Sequence, residues 1–193
     1  MNLLNESREL LHLARAHGIA RRYFVVNGFD GALTMLGLII GFLLSPPTSL
    51  SLMLNACLGA AIALGMSGIS SAYISEVAER KLALSKLEES MIKDLQDSAH
   101  GRAAKWVPFI IAVVNGAAPL FVSLCIISPL WLANAGISLF VQPLYLAVIL
   151  AFLLIFMLGV FLGRIADISW VHSGIQTVVI ALTTTALIYI FTG

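Results

Sequence analysis

The chain has 193 residues, of which 60% are hydrophobic and only 11% charged, with a mean hydropathy of +0.98 and a formal net charge of +1. A soluble domain carries roughly 25% charged residues, so this composition excludes a water-covered globule. The near-neutral balance offers no basic surface for a nucleic acid. The expected class is an all-α integral membrane protein, in which the few charges mark span ends and sites of chemistry.

Residues 1–22 form the first segment. Leu3, Leu4, Leu10, Leu11, Leu13 and Ala14 alternate with Glu6, Arg8, Glu9, His12 and Arg15 at helical spacing, which predicts an amphipathic helix at the cytosolic interface. Charges run through it with no continuous apolar core, so it does not read as a cleavable signal peptide. The first span follows from Phe24 to Leu44 and stops at Ser45, Pro46 and Pro47. The second runs from about Leu50 to Tyr73 and is rich in Gly and Ala, as close helix packing requires. Residues 23–74 thus hold spans one and two.

From Ser75 to Lys105 every turn carries charge, while Leu82, Leu84, Leu87, Met91 and Leu95 keep a helical period. The reading is a cytosolic helical extension of span two over residues 75–105, broken near His100 and Gly101. Residues 106–193 hold three more spans, from Trp106 to about Leu130, Pro143 to Gly163 and Trp170 to Phe191. Between the last two, GRIADIS predicts a tight polar turn containing Arg164 and Asp167. Cys57 and Cys125 lie in apolar runs and read as packed or lipid-facing residues.

Five spans segregate the basic residues completely. Arg8, Arg15, Arg21 and Arg22, the six of residues 75–105, and Arg164 account for all 11 Lys and Arg on one side. The positive-inside rule then places the N-terminus and residues 75–105 in the cytosol and the C-terminus outside, in a plasma membrane if the source is prokaryotic.

Asp30 lies about a third of the way into span one, between Gly28 and Gly31, with Asn27 one turn earlier. A carboxylate at that depth costs on the order of 2.5–3.5 kcal/mol on insertion scales, and no span holds a Lys or Arg at its middle to pair with it. An ion or proton path is the favoured reading; a structural acid capped by backbone is the alternative. Asn27 and Asn115 offer carbonyl oxygens to such a path, and Met35 and Met66 offer soft sulfur, a combination suited to a borderline transition metal. For each Met, plain packing is the stronger reading alone. On the cytosolic helix, Glu76 and Glu79 are spaced i, i+3, as are Asp94 and Asp97. Each pair puts two carboxylates on one face, fit for a divalent cation or for a solvated helix with local ion pairs. No nucleophile–base pair, phosphate loop or zinc spacing is present, so no enzyme is expected and no resident cofactor.

The runs NGFDGALTMLGLIIGF (27–42), SAYISEVAER (71–80) and GRIADISWVHSGIQTVVIALTTTALIYIFTG (163–193) resemble the vacuolar iron transporter family, in a short archaeal-type form. The likeness runs from about Arg21 to Gly193. It implies a five-helix homodimer that exchanges iron(II) or manganese(II) for protons and exports the metal from the cytosol. By the same resemblance Asp30 matches the family's intramembrane acid, and Glu79, six residues after Tyr73, matches a cytosolic metal-binding Glu. Taken together with the reading of the residues themselves, the candidate metal set is Asp30, Glu76, Glu79, Glu88 and Met66, with Asn27, Asp30 and Asn115 along the path. Three departures stand out: a shorter cytosolic segment, Gly68 where the family has a methionine, and Ala60 where plant relatives have an acid. Two other classes compete with this reading: a proton-coupled exporter of another small solute, and a non-transporting membrane module whose cytosolic helix docks a partner.

Overall fold

The structure, a computed structural model, describes residues 16–92, 94–96 and 98–192. Residues 1–15, on which most of the expected N-terminal amphipathic helix falls, lie outside that set, as do Lys93, Asp97 and Gly193. The described residues form five helices and no strand: α1 Ala16–Leu44, α2 Leu50–Met91, α3 Ala99–Asn134, α4 Pro143–Ile165 and α5 Trp170–Thr192. All five are long and apolar enough to cross a membrane.

Their ends follow local chemistry. Pro46 and Pro47 close off α1. Pro143 opens α4 at a position where its missing N–H costs nothing. At the end of α3, Ile137 N–H reaches Leu132 O and Gly136 N–H reaches Ala133 O, with Gly136 at φ +83. This double closure needs a left-handed residue, and glycine adopts it without strain. The polar turn expected at GRIADIS is present: Ile168 N–H returns to Gly163 O, and Asp167 takes φ +55.

At 42 residues α2 is the longest helix. At 1.5 Å per residue it extends about 63 Å, roughly twice a bilayer's hydrocarbon core. The extension beyond Tyr73 is therefore one continuous helix with the apolar part. The break expected near His100 and Gly101 falls earlier, between the end of α2 at Met91 and the start of α3 at Ala99. His100 and Gly101 instead occupy the first turn of α3, because Ser98 caps that helix: its Oγ accepts Gly101 N–H at 3.3 Å and its carbonyl accepts Arg102 N–H at 3.0 Å.

The chain divides into two compact units, and α1, α2 and α3 each contribute to both. The first contains Gly65–Ala117 and the start of α1 as far as Phe24. In it, Ala103, Val107 and Ile111 of α3 pack with Ile19 and Tyr23 of α1. Here α2 and α3 meet backbone to backbone. A Cβ on Gly68 would lie 3.1 Å from Gly116 Cα, and one on Gly116 would collide with Gly65 O and Ile69.

The second unit holds Val25–Leu64 and Ala118–Gly193. Met35, Leu36 and Ile39 of α1, Leu54 and Cys57 of α2, Ile126, Ile127 and Leu130 of α3, and Ala147, Ala151 and Ile155 of α4 form its apolar cluster. Small residues bring α4 against α5. A Cβ on Gly163 would lie 2.8 Å from Ser173 Cβ and 2.9 Å from Trp170 Cα, and Gly159 faces Thr177 just as closely. Thr177 Oγ1 lies within donating distance of Ile155 O across the interface, at 3.1 Å, and of Gly174 O, at 2.8 Å.

Candidate functional site

In the second unit, α1 presents Asp30 and Gly31 to different surroundings. Successive helical residues are separated by about 100°. Gly31 faces α3 so closely that a Cβ would lie 2.7 Å from Pro119 O and 2.8 Å from its Cα. Gly28 packs on the Leu158 and Val122 side chains. With Gly28 and Gly31 turned inward, Asp30 is left on the open side of the helix. It is exposed, as is Val26 one turn before it, and Asn27 is half-buried. Among the described residues the Asp30 carboxylate has no hydrogen bond or ion pair. The glycine of the DG pair thus sets a close helix contact, and that contact fixes where the acid points. Met35, which offered soft sulfur on sequence grounds, is fully buried in the apolar cluster.

The remaining candidates lie in the first unit. Asn115 is buried, and its Nδ2 donates to Gly68 O at 2.7 Å, tying α3 to α2 where the two backbones touch. Gly68 therefore supports the crossing, and a longer side chain there would displace Gly116. Met66 points elsewhere: it is 56% exposed while Gly68 is buried.

Glu76 is 2% exposed, with Arg80 Nε 3.4 Å from its Oε2 one turn along. That oxygen has no hydrogen-bond partner. Glu79, on the same helix, is exposed. Glu88 is engaged in the turn after α2, where its Oε1 accepts the Leu95 N–H at 2.9 Å. Asp94 makes a local turn of its own, with Oδ1 accepting Gln96 N–H at 2.8 Å. Among the described residues no three His, Cys, Asp or Glu side chains come together to hold a metal ion.

Sequence reasoning missed a cleft in this unit. It lies between the last turns of α2 and the start of α3, has a volume of about 510 Å³, and is lined by Tyr73, Lys81, Glu88, Gln96 and Lys105 among others. Lys81 and Glu88 are seven residues apart in sequence and share a helix face. Lys105 comes from the other side of the turn, so no linear pattern reveals the group.

These elements define an all-helical protein with five helices of membrane-crossing length and composition, a lone acid on the open side of the first and a charged helical hairpin between the second and third. No family model matches the chain, and no solved structure does. A protein of Methanocaldococcus jannaschii, described as "Uncharacterized protein MJ0645", is 30% identical to it over 171 residues, spanning 87% of this chain and 86% of that protein. The chain belongs to the family of that archaeal protein.

Proposed function

We propose that this chain is a homodimeric, proton-coupled transporter that moves iron(II) or manganese(II) out of the cytosol, with Asp30 of each copy on the path. The observation that carries the reading is the position of Asp30: an acid inside an apolar helix, unpaired within the described chain and turned to its open side. A single copy would leave that carboxylate facing hydrocarbon, at a cost of roughly 2.5–3.5 kcal/mol. A second copy apposed along α1 removes the cost by enclosing both acids in one polar path. Two carboxylates facing each other repel unless a proton or a dication sits between them. Exchange of one for the other is the coupling step.

The metal is cargo, and the path is expected to be multi-pass with the charged hairpin on the cytosolic side. The basic residues, all on one side of five spans, support that orientation. Glu79, exposed on α2, supplies negative field and carboxylate oxygen on that side, whereas Glu76 is buried beside Arg80. No three acids cluster within one described chain, so a bound dication would complete its shell with the second copy, backbone carbonyls or water. The resemblance to vacuolar iron transporters supports the choice of cargo.

Asp30→Asn tests this directly. In proteoliposomes with an imposed pH gradient, the wild type should accumulate iron(II) or manganese(II) and move protons in the opposite direction. The variant should lose both by at least about tenfold while running at the same size on gel filtration. Undiminished exchange by the variant would remove Asp30 from the mechanism. Running cobalt and zinc in the same assay separates a metal carrier from an exporter of another solute.

A further inference from the structure

Two lysines line the cleft of the first unit against one acid. Lys81 from α2 and Lys105 from α3 both line it, and among the described residues neither has an ion-pair or hydrogen-bond partner. The one acid in its wall, Glu88, has Oε1 committed to the Leu95 N–H. Gln96 adds an amide, and Tyr73 a phenol, at the opposite end of the lining. The first turn of α3 carries no acid that would compete with an incoming anion. At about 510 Å³ the volume is that of a small-ligand site.

Depth narrows the ligand. Lys105 directly precedes Trp106, a half-exposed aromatic at the point where α3 turns apolar. Such residues sit at the headgroup level of a bilayer. Lys81 stands about two turns beyond Tyr73 on α2. From Lys105 one face of α3 continues through Phe109 and Val113, both exposed and spaced i, i+4, i+8. A cationic pocket above an uncovered apolar track has the chemistry of a headgroup with its acyl chain.

We propose that this cleft binds a phosphate-bearing anion, held by Lys81 and Lys105, whose source is the headgroup of an acidic membrane lipid. The depth argument rests on the membrane orientation given above; the charge argument does not. A site here would clamp the turn between α2 and α3 from the membrane side and make its geometry depend on lipid charge.

The test uses the full chain in neutral phosphatidylcholine–detergent micelles, with no metal and no flux measurement, so that it is independent of transport. Phosphatidylglycerol binding is read by native mass spectrometry, and inorganic phosphate is titrated in parallel. The Lys81→Gln/Lys105→Gln variant should bind phosphatidylglycerol at least about tenfold more weakly than the wild type. Lys86→Gln, outside the cleft, should bind as the wild type does. Should the double variant fold poorly, the wild type alone suffices: phosphatidylglycerol should protect Lys81 and Lys105, and not Lys86, from an amine-acylating reagent. Phosphate binding with the same lysine dependence, but no preference for the lipid, supports the phosphate site and assigns a soluble source. A protein that stays monodisperse without detergent sinks the membrane reading and leaves the phosphate arm to judge the cleft. Equal binding by double variant and wild type, or acylation of both lysines unchanged by lipid and by phosphate, overturns the proposal.

Discussion

At the scale of single residues, the close approach of two backbones decides more than charge does. Gly31 has no room for a methyl group against Pro119, and the obstacle is backbone, which cannot rotate away. Gly31→Ala should therefore force α1 from α3 and destabilise the protein by about 1–3 kcal/mol, the usual cost of overpacking. Reversible denaturation in mixed micelles measures it. A loss below about 0.5 kcal/mol would mean that the helices slide apart freely. Asn115 is the polar counterpart: its amide satisfies Gly68 O in an interior that excludes competing water. Both residues were conspicuous in the sequence, but their roles were not. An Asn in a span reads equally as a path oxygen or a helix clamp until its partner is seen.

At the scale of elements, the turn between α2 and α3 is held by side chains of the acidic helix itself. Glu88, a candidate metal ligand on sequence grounds, accepts the Leu95 N–H, and Leu95 is buried. Glu88→Gln keeps an acceptor there and removes the charge, whereas Glu88→Ala removes both. If the turn is its main role, the Ala variant alone should speed amide exchange of residues 94–98, with a loss of about 1–2 kcal/mol in local stability. Impaired metal accumulation by the Gln variant, with normal exchange at the turn, would instead mark Glu88 as a ligand.

The same turn holds a strained residue. Ile92 has φ +50 just past the end of α2 and is almost wholly exposed. A left-handed backbone costs a β-branched residue about 1–2 kcal/mol. Ile92→Gly should therefore raise the midpoint of thermal unfolding, and a lowered midpoint would show that the Ile side chain contributes contacts worth more than the strain.

At the scale of the whole molecule, large apolar side chains lie on the outside as well as in the core. Large apolar side chains such as Ile149, Leu153, Met157 and Phe161 on α4, and Ile175, Val179 and Leu182 on α5, face outward. Small and polar residues, among them Gly159, Gly163, Ser173 and Thr177, lie at the contacts. That distribution suits a lipid solvent, in which packing of small residues holds helices together. It also makes α1 exceptional, because its open side carries an acid. If two copies meet there, Val26→Cys, in a Cys57→Ser/Cys125→Ser background, should form a disulfide-linked dimer in native membranes. Leu153→Cys, on the outward face of α4, should not. Equal cross-linking of the two on a non-reducing gel would argue against pairing along α1.

How much was legible in advance divides along physical lines. Helix number and the helix ends marked by proline depend on local quantities: hydropathy summed over a span and prolines that cannot continue a helix. The sequence by itself therefore determined five apolar helices and singled out Asp30 as an acid without a cationic partner at its depth. Which way that acid points was decided by Gly31 against Pro119, a contact between residues far apart in the chain. The same holds for Asn115 on Gly68 and for the two lysines brought to one cleft. Glu88 on Leu95 depends on how a short turn folds back. Periodicity shows that side chains share a face, but only the packed neighbour decides whether that face meets a backbone, a second acid or an open cavity.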